Sequence, residues 1–306
     1  MERSAFELEP VPPFRLDLTA WILRRRPDNV VDRWDSQVYR RVLALDDVPV
    51  EVAACQIGPP ETPRLAVELA AERLPPRAEE RAGELLSRML GLQVDLEGFY
   101  RLAAGDPRLG RLVERFRGAK PTRYPTVFEA LVNAIACQQV TLTLGIQILN
   151  RLALAHGLRY EDGDGSYPAF PRPADLAGLE PAALRALGFS RQKAQAILSL
   201  AEGVVAGDLC LDDLERLDDA AAEERLRALR GVGRWTAEYV LLRALGRLHV
   251  FPGDDVGGQR NLRRWLGLDE PLSYDRVRAI LEPWRAYGGL LYYHLLLQRL
   301  AERGVL

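Results

Sequence analysis

Only two lysines, three cysteines, three histidines and two methionines occur in 306 residues, and each shortage closes off some chemistry. Cys55, Cys137 and Cys210 stand far apart with no Cys-x-x-Cys. That excludes a disulfide framework, a four-cysteine zinc site and a four-cysteine iron–sulfur cluster. His156, His249 and His294 are equally scattered, so side chains offer no obvious metal site. With Lys120 and Lys193 the sole lysines, a lysine nucleophile has almost nowhere to stand. No apolar run approaches the ~20 residues of a membrane span, and Met1-Glu-Arg-Ser lacks a signal-peptide pattern. The expectation is a soluble, cytoplasmic protein without a membrane partner.

What is present is ordinary globular composition, 48% apolar and 27% charged, long enough for two domains or three small ones. The net charge is −2, but it is unevenly placed. Residues 225–306 hold 14 Arg against 8 Asp and Glu, a net of +6, so residues 1–224 carry −8. A basic C-terminal quarter on an acidic chain suggests a local surface for an anionic partner. Solvated helix faces account for the same count equally well.

Residues 1–74 show short, partly alternating apolar stretches near 37–45, 48–57 and 65–69, with a helix expected over 18–26. After Leu74-Pro-Pro-Arg77, apolar residues recur at three and four positions. The pattern predicts helices over 78–90, 96–104, 109–116, 126–156, 181–187, 190–206, 220–229, 234–245, 257–266, 274–281 and 283–303. The Gly- and Pro-rich stretch 161–173 reads as a long surface loop. The fold class is therefore mainly α, with a small N-terminal α+β domain built on an antiparallel sheet. Three units are expected: 1–95, then 96–119 with 248–306, and 120–247.

Two features carry chemistry. In Leu229-Arg-Gly-Val-Gly-Arg-Trp-Thr-Ala-Glu-Tyr239, a Gly-apolar-Gly lies between helical patterns. Gly231 and Gly233 can take positive φ and admit a phosphate to their amides, beside the positive end of the following helix. Such a turn positions a nucleic-acid backbone without reading sequence; it also serves elsewhere as a plain turn. Downstream, Pro252-Gly-Asp-Asp255 precedes Gly257-Gly258 at a helix start. One aspartate suffices as a cap, and two glycines in a first turn make sense if another backbone must come close.

Together these features resemble the helix-hairpin-helix superfamily of DNA glycosylases, and within it the bacterial 3-methyladenine DNA glycosylase II type. Gly233–Tyr239, Pro252–Asp255 with Gln259-Arg260, Pro283-Trp-Arg-Ala-Tyr287, and Phe170–Leu176 through 186–194 are similar to that branch, and Pro12-Pro13-Phe14 with the sheet region suits its extra domain. The resemblance implies a helical glycosylase core with the hairpin at about 220–240. It implies a monofunctional N-glycosylase that flips alkylated purines out of duplex DNA and leaves an abasic site. Asp255 takes the catalytic place and Asp254 a capping or supporting one. Trp235, Tyr239 and Tyr293 take base-pocket places, Tyr293 where the branch usually has tryptophan. Gly231, Val232, Gly233, Arg234 and Thr236 take DNA-binding places. Gln139, with Gln138 beside it, takes the place of the wedge inserted between bases. The carbonyls of Arg227, Leu229 and Val232 would hold a monovalent cation; no cofactor and no side-chain metal site is implied. The partner is damaged double-stranded DNA, met by a monomer at the nucleoid. Trp235 stands where bifunctional members carry their Schiff-base lysine, which argues against the other readings within the superfamily, chiefly an oxidised-purine glycosylase. A non-catalytic DNA-binding scaffold, and an unrelated helical enzyme in which the hairpin is only a turn, are the alternatives from other classes.

Overall fold

The computed structural model describes residues 1–163 and 165–306. Strands β1 (Glu2–Leu8), β2 (Arg33–Trp34), β3 (Val38–Leu45), β4 (Val48–Gln56) and β5 (Leu65–Ala71) form one antiparallel sheet in the order β1-β5-β4-β3-β2, with helix α1 (Leu16–Arg24) following β1. Strict alternation turns Leu65, Val67, Leu69 and Ala71 of β5, and Val50, Val52 and Ala54 of β4, to one face. Helix α2 (Ala78–Met89) covers that face with Ala78, Ala82, Leu86 and Met89, spaced by three and four. β1 lies outside the three strands expected, because as an edge strand it buries no residue completely and its inward face holds only two apolar residues, Phe6 and Leu8.

Helices build the rest: α3 (Glu97–Ala104), α4 (Pro107–Arg115), α5 (Val127–Cys137), α6 (Leu142–His156), α7 (Pro173–Leu176), α8 (Pro181–Ala186), α9 (Arg191–Val205), α10 (Asp219–Arg227), α11 (Arg234–Arg243), α12 (Val256–Leu266), α13 (Tyr274–Leu281) and α14 (Gly288–Glu302), with 3-10 turns at Asp212–Arg216 and Glu282–Tyr287. The fold is thus mainly helical with a small N-terminal antiparallel sheet, as the sequence implies.

Two expectations are corrected. The segment 126–156 is two helices, because Gln139 takes a left-handed φ of 53° and Thr141 caps a fresh start at the Leu144 N–H. The single expected surface loop over 161–173 instead carries strands β6 (Arg159–Asp162) and β7 (Gly165–Pro168) and the start of α7, with Ala169 and Phe170 buried; Asp164 lies outside the described residues.

Apolar side chains gather in three large clusters, with a small fourth of Val42, Tyr160 and Ala169 where β3 meets the β6–β7 pair. One lies between the sheet, α1 and α2, from Phe14 to Leu92; a second joins α3 and α4 to α12–α14; a third surrounds α5, whose residues 127–136 are buried on every side. α1 borders two of them, with Leu16, Ala20 and Leu23 in the first and Leu18, Trp21 and Ile22 in the second. The sheet is also tied to α5 by charge. Arg41 of β3 donates to Asp32 at 2.8 Å and to both oxygens of Glu129 at 2.6 and 2.5 Å, and the Tyr39 hydroxyl donates to Asp32 at 2.6 Å. All four side chains are buried.

Candidate active site and nucleic-acid interface

α10 ends at Arg227, and the chain turns back into α11 through Gly231, Val232 and Gly233. Gly231 has φ 78°, and a Cβ there would stand 2.9 Å from the Ala196 Cβ, so glycine is required by both backbone and packing. Gly233 differs from expectation: its φ of −96° and ψ of −177° are open to any residue. A Cβ on Gly233 would meet nothing within 4 Å. What glycine leaves free there is outer space beside the first turn of α11. Val232 is buried and anchors the turn in the third cluster. The amides of Gly231, Gly233, Arg234 and Trp235 take no backbone acceptor among the described residues. With the positive end of α11, they make an anion-binding surface.

Two residues chosen from the sequence, Thr236 of the hairpin and Gln138 of the α5–α6 loop, look inward instead. Thr236 is buried, and its hydroxyl accepts from Gln138 Nε2 at 2.9 Å; the same nitrogen donates to the Gly231 carbonyl at 2.8 Å. Gln138 is therefore a brace between the α5–α6 loop and the hairpin, and its side chain is not free to act as a wedge. Gln139 is exposed beside it. The loop is held from the other side by Lys193, whose ammonium donates to the carbonyls of Ala136 at 3.0 Å and Gln138 at 2.6 Å. The other lysine, Lys120, donates to the Val94 carbonyl.

The acidic turn approaches from the opposite side. Asp255 is the cap of α12, its Oδ1 accepting the Gly258 N–H at 2.5 Å. Asp254 is not the cap: it accepts from Arg234 Nε at 2.7 Å, while the Arg234 guanidinium lies 3.7 Å from the Tyr274 ring centroid. Arg234 thereby joins the hairpin to the acidic turn. Glu238 holds the turn from beneath, accepting from the Gly253 N–H at 2.9 Å and the Tyr274 hydroxyl at 2.7 Å. Burial raises the Glu238 carboxyl above its ordinary value. Gln259 adds a bond to the Gly253 carbonyl at 2.8 Å.

Asp255 Oδ2 accepts the Trp235 indole N–H at 3.0 Å and faces the Tyr292 hydroxyl at 3.3 Å. The aspartate is partly exposed and Trp235 half-buried. Gly257 and Gly258 make room for these groups. A Cβ on Gly258 would be 2.9 Å from the Tyr292 ring, and one on Gly257 would be 3.0 Å from Asp255 Oδ1. Burial, then the charge of Asp255, holds the Tyr292 phenol well above its ordinary value, so it stays a donor.

Tyr292 is the residue that sequence reasoning missed, by one position. Tyr293 is buried with its hydroxyl on the Thr122 carbonyl at 2.8 Å. Tyr239 is buried behind Trp235, ring centroids 5.6 Å apart, with its hydroxyl 2.9 Å from that of Tyr124 and 3.1 Å from Arg25 Nη1. Arg243 fills the space between the rings of Tyr124, Tyr239 and Tyr293, at 5.2, 5.7 and 5.4 Å from their centroids. Both Tyr239 and Tyr293 thus serve a buried tyrosine–arginine layer, and Trp235 is the aromatic at its outer side.

Among the described residues no group of three His, Cys, Asp or Glu could hold a metal ion, and no helix is long and apolar enough to cross a membrane. The carbonyls of Arg227 and Val232 take no backbone partner among the described residues, and that of Leu229 accepts the Val232 N–H at 3.2 Å. Neutral oxygens of this kind fit a monovalent cation.

Comparison with known proteins places this arrangement. Residues 132–286 match the family described as HhH-GPD superfamily base excision DNA repair protein. The chain is 30% identical over 280 residues to DNA-3-methyladenine glycosylase 2 of Escherichia coli (strain K12), covering 90% of this chain and 92% of the relative. The 3-methyladenine DNA-glycosylase from Archaeoglobus fulgidus superposes with a TM-score of 0.82 at 30% identity, over 96% of this chain and 98% of that one. The 8-oxoguanine glycosylase/lyase of Clostridium acetobutylicum, solved with duplex DNA, gives a TM-score of 0.76 at 18% identity over 98% of each chain, a likeness of fold.

Proposed function

Since the chain belongs to the HhH-GPD superfamily of base excision DNA repair proteins, we propose that it is a monofunctional DNA glycosylase for alkylated purines, with Asp255 as its catalytic group. The observation that carries this reading is the meeting of the Asp255 carboxylate with the Trp235 indole at 3.0 Å, where the hairpin and the acidic turn are joined. Positive charge grows on the deoxyribose as the glycosidic bond breaks, and a fixed carboxylate stabilises it. Three donors already engage Asp255, one on Oδ1 and two on Oδ2. Of its roughly four acceptor positions, about one on Oδ1 is left for the sugar or the attacking water. A purine alkylated at N3 or N7 is cationic and leaves as a neutral base, so little acid catalysis is needed. The outer face of Trp235 suits such a cation by stacking and by cation–π attraction.

The reaction lies outside the stacked duplex, so the nucleotide must be flipped. Gln139, exposed on the loop braced by Gln138 and Lys193, fills the gap left behind. The hairpin amides hold a phosphate, and a monovalent cation on the carbonyls of Arg227, Leu229 and Val232 would add positive charge there. Both lysine ammonium groups are engaged by backbone carbonyls, which supports hydrolysis over a Schiff-base route. We read residues 1–95, 96–119 with 248–306, and 120–247 as three domains, and the protein as a cytoplasmic monomer acting at the nucleoid.

The test is release of free bases from methylated duplex DNA and from duplexes carrying 8-oxoguanine, with strand nicks scored before and after alkali. Methylated purines released, and nicks only after alkali, are the expected result. Release of 8-oxoguanine with nicks before alkali would overturn it. The two glycines separate binding from folding. Gly233→Val should leave the melting temperature unchanged, weaken duplex binding and lower its salt dependence by about one unit of log–log slope. Gly231→Ala should cost about 1–3 kcal/mol of stability through its backbone strain. Unchanged binding by Gly233→Val would remove the phosphate role of the hairpin.

A further inference from the structure

At the far end of α12 from Asp255 lies a concavity of about 510 Å³, lined by Arg108, Arg111, Leu112 and Arg115 of α4, Trp265 of α12 and Gln298 of α14. The arginines are spaced by three and four, so they share one face of α4. All three are exposed, and none forms an ion pair among the described residues. Arg108 donates to the Leu266 carbonyl at 3.3 Å, and Arg115 rests over the Phe116 ring at 5.3 Å. Trp265 is half-buried, its ring 5.3 Å from Trp284. On a chain of net charge −2, three unpaired guanidinium groups around one hollow are poised for a polyanion.

The charge continues from this hollow toward Asp255. Burial, then repulsion from Arg299, Arg26, Arg264 and Arg260, lowers the Arg303 guanidinium below its ordinary value, which places each of these four groups within the field of Arg303. Arg260 lies in the second turn of α12, counted from Asp255. Glu302 offsets part of this charge, accepting from Arg264 and Arg299 at 3.1 Å each and from Gln298 at 3.2 Å.

We propose that the arginine concavity of α4 and Trp265 holds the sugar–phosphate backbone of duplex DNA beyond the lesion, a contact separate from the hairpin. The inference rests on the reading that the flipped nucleotide sits at Asp255. The helix between the two sites, 11 residues long, spans about 16 Å, which corresponds to four or five base pairs at ~3.4 Å each. From Arg108 to Arg115, α4 rises by about 10 Å, close to three base-pair rises along the duplex axis.

The test compares Arg111→Ala/Arg115→Ala with wild type on duplexes carrying a central abasic-site analogue, with flanks of about four or about ten base pairs. Both substitutions are on exposed side chains, and equal melting temperatures will show that the fold is kept. Expected is a gain in wild-type affinity of about fivefold or more on the longer duplex, lost in the double variant, with the salt slope lowered by nearly two. Affinity on the short duplex, and single-turnover base release from methylated duplex DNA, stay as in wild type. Equal gains in both proteins overturn the proposal. So does competition by inorganic phosphate or a mononucleotide without any dependence on flank length, which would make the hollow a free-anion site. If Asp255→Asn releases methylated bases as fast as wild type, the reading of Asp255 as the lesion site fails first, and this one falls with it.

Discussion

Asp255→Asn is expected to lower base release under single-turnover conditions by about 10²–10³-fold or more, while changing duplex affinity by less than about threefold. The substitution isolates charge from shape. Asparagine is as good a cap as aspartate, so α12 still starts at the same residue. The donors around the side chain then decide how the amide sits. Trp235 Nε1 and the Tyr292 hydroxyl both address Oδ2, so the amide oxygen must stay there. The NH2 group is then turned toward the Gly258 N–H, which addresses Oδ1 at 2.5 Å. Two donors facing each other should cost about 1 kcal/mol of stability, small beside the loss of catalysis. Affinity should stay near that of wild type because the groups proposed to bind phosphate, among them the hairpin amides, do not touch Asp255. Slow base release with much weaker binding would make Asp255 a structural residue.

The contrast between Asp255 and Tyr292 shows what was legible in the sequence. A hairpin with two glycines and an aspartate some 20 residues on is a local pattern, and local patterns survive without knowledge of packing. Which face of α14 meets Asp255 is not local. It depends on how the 3-10 turn Glu282–Tyr287 rotates the helix that follows, and a one-residue error exchanges Tyr292 for Tyr293. The break at Gln139 was hidden for a related reason. Cys137-Gln-Gln-Val-Thr141 contains no glycine or proline, and the carbonyl just before its left-handed residue is held by Lys193 from a helix more than 50 positions away. Thr141, a good cap, was the one available signal. The sequence marks these glycines without separating their kinds: Gly231 takes the positive φ expected of it, Gly233 does not and leaves open space, and Gly257 and Gly258 accommodate side chains of this same protein.

The Arg41 network was least legible of all, since an arginine within Val-Tyr-Arg-Arg-Val-Leu reads as a solvent-facing strand residue. Its removal carries the largest expected effect on stability. Arg41→Met should destabilise the protein by about 3–5 kcal/mol, because it leaves the carboxylates of Asp32 and Glu129 buried with no cation between them. The melting temperature should fall by roughly 5–15 °C. Burial already holds the Glu129 carboxyl above its ordinary value, with Arg41 opposing the shift; without Arg41 it rises further. An acid whose pKa is raised on folding binds its proton more tightly in the folded state. Its contribution to stability is full below the ordinary carboxylate range and is lost as pH rises through the folded value. The deficit of Arg41→Met relative to wild type should therefore narrow as the pH falls from about 8 to about 5. Adding Glu129→Gln should recover part of the loss by removing one unpaired charge, so the two substitutions together should cost less than their separate effects summed. A deficit constant with pH, and strictly additive with Glu129→Gln, would mean that Arg41 acts by filling space between sheet and helix, not by neutralising charge.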